Sequence, residues 1–105
     1  MKLRVARHTN NLEKIKLFYI NILGFELLGS FENHNNYDGI FIGKSNLDWH
    51  LEFTKSNETV NFNFGDEDYL VFYPENEIEY EQILKTISKS NIDFHYQPTN
   101  LKIRQ

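Results

Sequence analysis

Two stretches of this 105-residue chain spell the same succession of elements, and the spacing between them constrains the architecture more tightly than any single motif. In the first, Leu3-Arg4-Val5-Ala6-Arg7-His8-Thr9 alternates as a strand with one apolar and one polar face. Asn10-Asn11-Leu12-Glu13 then supplies a helix cap with an acid three residues beyond Asn10. Leu12, Ile15, Phe18, Tyr19, Ile22 and Leu23 recur at helical spacing up to Gly24, a residue suited to closing a helix. In the second stretch, residues 69–73 read as a strand, Pro74 ends it, and Asn76 with Glu79 repeats the capping signature. Tyr80, Ile83, Leu84 and Ile87 form the buried stripe of a second helix, which Asn91 can terminate, and residues 92–97 resume as a strand. Asn10 to Asn76 is 66 positions and Gly24 to Asn91 is 67, which marks an internal duplication.

The first copy runs on into three strands, at residues 25–31, 37–43 and 48–54, with a turn at Asn33-His34-Asn35-Asn36. A short edge strand is expected at residues 60–64 within the polar stretch that follows. The first unit is therefore strand–helix–three strands over about residues 3–56. The same offset projects the last two strands of the second copy to about residues 104–121, past Gln105. The expectation is one α+β domain over residues 1–105 whose second unit, about residues 69–105, lacks its last two strands.

Composition narrows the chemistry. With no cysteine, disulfides, thiolate zinc sites and cysteine nucleophiles are all excluded, and a metal would need His, Asp or Glu. A net charge of −4 without a basic stripe predicts no nucleic-acid and no membrane partner. No apolar run or leader-like segment is present, so a cytoplasmic protein is expected. Nine Phe, six Tyr and one Trp suffice to fill a core and leave rings over for a cavity. No phosphate loop, nucleophile elbow or Ser/His/Asp arrangement is found.

Several strings together resemble the vicinal-oxygen-chelate superfamily, which includes glyoxalase I, bleomycin-resistance proteins and extradiol dioxygenases. They are Asn11-Leu12 opening the helix, Phe18-Tyr19 within it, Leu23-Gly24-Phe25 leaving it, Tyr37-Asp38-Gly39 entering the third strand and His50-Leu51-Glu52-Phe53-Thr54 in the fourth. The resemblance covers residues 3–54 and the second copy through Asn91-Ile92-Asp93-Phe94, and it implies a duplicated βαβββ glyoxalase-like fold around a cup. In metal-dependent relatives the cup's ligands would fall here at Arg4, Glu52 and Tyr69, with a last position beyond the chain. Only Glu52 can coordinate, because Arg does not deprotonate and a neutral Tyr is a poor ligand. No cofactor is expected, and Arg4 and Glu52 are expected to pair across the cup.

A rival metal site would use His8, His50 and Glu52, which share one face by strand alternation, as two histidines and a carboxylate. His8 stands four residues from the family position, about 13 Å along a strand, which argues for the rim instead. His34 and His95 are expected at the surface. Glu52 is the candidate for chemistry, as a base or polar anchor. Tyr69 and Tyr73 are the favoured rings for ligand binding, with Phe41 also a candidate, while Trp49 and Phe53 face away from Glu52 toward the helix. The preferred reading is a metal-independent small-molecule-binding protein of the bleomycin-resistance kind. The alternatives are a metal-dependent lyase or dioxygenase, and a degenerate, non-catalytic module. An incomplete second unit would leave a sheet edge open, so a homodimer is expected; a shortened longer product with an unrelated tail at residues 101–105 is the other explanation.

Overall fold

The structure is a computed structural model of the whole chain, and it describes residues 1–58, residues 70–90 and the backbone of residues 101–103. The chain divides into two compact units, Met1–Asn61 and Phe62–Gln105. In the first, β1 (Leu3–His8) leads through α1 (Leu12–Lys16) and a π-helical segment (Leu17–Ile22) to β2 (Glu26–His34), β3 (Tyr37–Gly43) and β4 (Trp49–Ser56). The sheet order is β1-β4-β3-β2, with β1 parallel to β4 and the other two pairings antiparallel. This is the expected βαβββ unit.

Register decides what each face carries. Arg4 lies opposite His50 and Ala6 opposite Glu52, while Phe41 lies opposite Glu52 on the other side. Alternation therefore gathers Arg4, His8, His50, Glu52, Thr54 and Phe41 on one face and sends Leu51 and Phe53 to the other. The second face is the core of the unit. Ile15, Tyr19, Ile42 and Phe53 are fully buried, and Tyr19 packs on Phe53 with ring centroids 5.1 Å apart. Trp49 also faces this way, edge-on to Phe25 at 5.9 Å.

Asn11, and not Asn10, caps the first helix: its side chain accepts from the Lys14 N–H, and its own N–H donates to Thr9 Oγ1. The helix then departs from the expected α geometry. From Leu17 it widens into a π turn, marked by the five-residue bond from Leu23 N–H to the Phe18 carbonyl. With fewer degrees between successive residues, adjacent Phe18 and Tyr19 can both turn toward the sheet, and both are buried. Gly24 ends the segment with φ +78°, as its position predicts.

The Asn-rich turn is tighter than the sequence suggests. β2 extends to His34, and only Asn35 and Asn36 connect it to β3, with φ of 52° and 69°. Both residues in the left-handed region make this a two-residue hairpin turn of the kind that matches strand twist. A further left-handed residue, Asn33, sits at the bulge between Phe31 and His34, where its N–H donates to Asp38 Oδ1.

In the second unit β5 (Leu70–Phe72) precedes α2 (Glu77–Lys89), which is capped by Asn76 accepting from the Glu79 N–H at 2.8 Å. The expected terminator Asn91, the strand at residues 92–97 and the edge strand at residues 60–64 lie outside the described residues. Residues 101–103, expected as a possible unrelated tail, instead form β6 (Leu101–Ile103), paired parallel to β5. β6 thus stands to β5 as β4 stands to β1. The fold is α+β; β6 lies earlier than the position that the 66-residue offset projects for a counterpart of β4.

Candidate functional site

The cup face of the first unit is built around Arg4. Its Nε donates to His50 Nε2 at 2.9 Å and its Nη1 reaches Glu52 Oε2 at 3.4 Å, while the guanidinium carbon lies 4.8 Å over the centre of the Phe41 ring. A guanidinium only donates, so His50 accepts through Nε2 and carries its own proton on Nδ1. The expected Arg4–Glu52 pair is present, and His50 and Phe41 complete it. The Arg4 side chain is 52% exposed and that of Glu52 16%, so the carboxylate is the enclosed partner.

Beside this cluster lies a cavity of about 500 Å³ whose lining includes His8, Phe31, Tyr37, Glu52 and Thr54. His8 comes from the last position of β1, where its Nδ1 stands 3.4 Å from Thr54 Oγ1 and its ring meets Tyr37 edge-on. His8 therefore lines the cavity together with Glu52. Phe31, which sequence reasoning did not single out, is the second large ring of the lining. Its only forewarning was its register opposite Gly39, which a sequence without strand pairing does not reveal.

Of the residues expected to form the site, Arg4, His8, His50 and Glu52 are brought onto one face. Tyr73 belongs to the second unit, just past β5, and is 66% exposed. Tyr69 lies outside the described residues. His34 is exposed at the end of β2, and it too borders the cavity.

With the geometry in place, the relationships of the chain are clear. Residues 3–54 match the YycE-like N-terminal domain. The Bacillus subtilis uncharacterised protein YycE is 39% identical over 80 residues, 74% of this chain and 57% of that protein, so the chain spans little more than half of this curated relative. The crystal structure of a B. subtilis YycE protein of unknown function, provisionally described as a glyoxalase/fosfomycin resistance protein, matches with a TM-score of 0.80 and 27% identity. That match covers 97% of this chain and 85% of that one. The trypanothione-dependent glyoxalase I of Leishmania major shares the fold at a TM-score of 0.71, with 16% identity over 92% of this chain and 70% of that one. The chain thus has the fold that these glyoxalase-like structures share. Its first half is similar to the N-terminal domain of YycE-like proteins.

The divalent metal associated with many members of the vicinal-oxygen-chelate superfamily can be tested against the residues present. At the two first-unit positions stand Arg4, which has no lone pair to give, and Glu52, which is already engaged by Arg4. His50, the nearest imidazole, is held by the same guanidinium through the nitrogen that would ligate. Among the described residues no group of three His, Asp or Glu side chains converges to hold an ion, so His8, His50 and Glu52 do not make a two-histidine, one-carboxylate centre. The described residues of the first unit do not by themselves fit the metal.

Proposed function

We propose that this protein is a metal-independent small-molecule-binding protein, which holds an organic ligand in the cup of its first unit. One observation carries the reading: Arg4 fixes the two donors, His50 and Glu52, that a chelating centre would need, directly beside a ligand-sized cavity. Glu52 then serves as a polar anchor, held through its Oε2 by the Arg4 guanidinium. Phe31 and Tyr37 supply the apolar surface that drives binding, and His8 and Thr54 supply polar contacts that fix orientation. The protein is expected to act in the cytoplasm. Among the described residues no helix is long and apolar enough to cross a membrane.

Two copies are proposed to associate, since β1 is an edge strand of its sheet and carries the exposed Leu3. A light-scattering mass of one chain at micromolar concentration would remove that part of the proposal. The central test is metal analysis of protein purified without chelator, run beside calorimetric titration with aromatic amines. Substoichiometric metal with measurable heat of ligand binding is expected. Stoichiometric nickel, zinc, iron or manganese in the purified protein would sink the reading in favour of a lyase or dioxygenase.

A further inference from the structure

On the cup face, β2 and β3 present two cross-strand pairs in which a glycine faces a phenylalanine: Gly29 opposite Phe41, and Phe31 opposite Gly39. The two pairs are not equivalent. A Cβ built on Gly29 would meet Phe41 at 3.4 Å, an ordinary contact, whereas one built on Gly39 would collide with the far end of the Phe31 ring. The Phe31 ring therefore lies across the backbone of Gly39, in space that any other residue would fill. It is tilted 50° to Phe41 at 5.8 Å between centroids, so the two rings form one continuous floor from the Arg4 cluster into the cavity.

The chemistry of the walls complements that floor. Among the described residues, those lining the cavity include a carboxylate, Glu52, and no Lys or Arg. Among the described residues only Arg4 engages Glu52, through Oε2, which leaves Oε1 to a ligand. An aromatic surface beside a hydrogen-bond acceptor favours an aromatic ring bearing a donor nitrogen.

We infer that Gly39 determines the specificity of the cup: by admitting the Phe31 ring to the floor, it selects ligands with a flat aromatic face and a hydrogen-bond-donating nitrogen. The inference rests on the small-molecule-binding reading above. Because the obstructed atoms are the tip of a mobile side chain, Gly39→Ala displaces Phe31 from the floor and leaves the sheet intact. An alanine is also at least as well suited as glycine to a strand interior.

The test is calorimetric titration of the full chain with 2-naphthylmethylamine and with decahydro-2-naphthylmethylamine, which share the amine and the carbon skeleton and differ in the aromatic face. The native protein is expected to bind the naphthyl compound at least about tenfold more tightly, the scale of a single stacking contact. Gly39→Ala and Phe31→Leu should each bring the two amines to within about threefold of one another. Phe31→Tyr should keep the preference, as should Ser30→Ala on the opposite face of β2. Equal affinity of the native protein for both amines, or a preference that survives in both Gly39→Ala and Phe31→Leu, overturns the inference while leaving the binding reading in place. Absence of heat with either amine overturns both.

Discussion

Arg4 is the side chain on which the character of the site turns, and its energetics follow from unequal exposure. A fully exposed ion pair contributes little, because solvent screens it and two flexible side chains must be ordered. Here the Glu52 side chain is 16% exposed, so removal of its cationic partner leaves a largely enclosed carboxylate oxygen without its hydrogen bond. The contact of the guanidinium with the Phe41 face is lost as well. Arg4→Leu is therefore expected to lower stability by about 1–2 kcal/mol in urea denaturation. Glu52→Gln added to Arg4→Leu should recover most of that loss, since a neutral amide is easier to enclose than an unpaired charge. If the single substitution lowers the unfolding free energy by less than about 0.3 kcal/mol, the pair behaves as a surface bridge and does not organise the cup.

At the scale of elements, the hairpin between β2 and β3 and the first helix show how far local sequence reaches. Asn35 and Asn36 both occupy the left-handed region, which asparagine tolerates and β-branched residues do not. Asn36→Val is expected to cost about 1–2 kcal/mol, whereas Asn36→Gly is neutral or stabilising; comparable thermal melts of the two would mean the turn has another conformation in solution. The helix cap makes a second case. Asn11→Ala removes the acceptor of the Lys14 N–H and should cost about 1 kcal/mol, read as a lowered melting midpoint. The sequence placed a cap here but chose the wrong asparagine, because the acid three residues on favoured Asn10 and only the backbone angles distinguish the two. The succession of elements in the first unit, Gly24 as the helix stop and the faces of β1 and β4 were all legible from periodicity. The π turn was not, since nothing local distinguishes Phe18 and Tyr19 in a widened turn from the same pair in an α-helix. Arg4 and Glu52 could be matched through the family's spacing, and His8 and His50 through alternation. Phe31 stayed hidden because its partner, Gly39, is set by a bulged register that no short-range pattern encodes.

For the whole molecule, the proposal separates ligand from metal in one experiment. Any species that binds the folded chain and not the unfolded one raises stability by mass action, about 2.7 kcal/mol at a hundred times its dissociation constant, which in a chain of this length moves the midpoint by roughly 10 °C or more. A metal centre built from the protein's own donors would show this in both directions, with chelator lowering the midpoint and added ion raising it. The first unit instead closes on an apolar core of Ile15, Tyr19, Ile42 and Phe53, and on the cup side Arg4 already holds His50 and Glu52. Chelator treatment is therefore expected to leave the melting midpoint within about 1 °C, and added nickel, zinc or manganese near stoichiometry to leave it equally unmoved. An aromatic amine at saturating concentration should raise it by several degrees, and Phe31→Leu should abolish that rise while shifting the ligand-free midpoint only modestly. A midpoint that falls on chelation would point to an ion bound through donors other than the Arg4 cluster, and would return the metal-dependent chemistry of the superfamily to this chain.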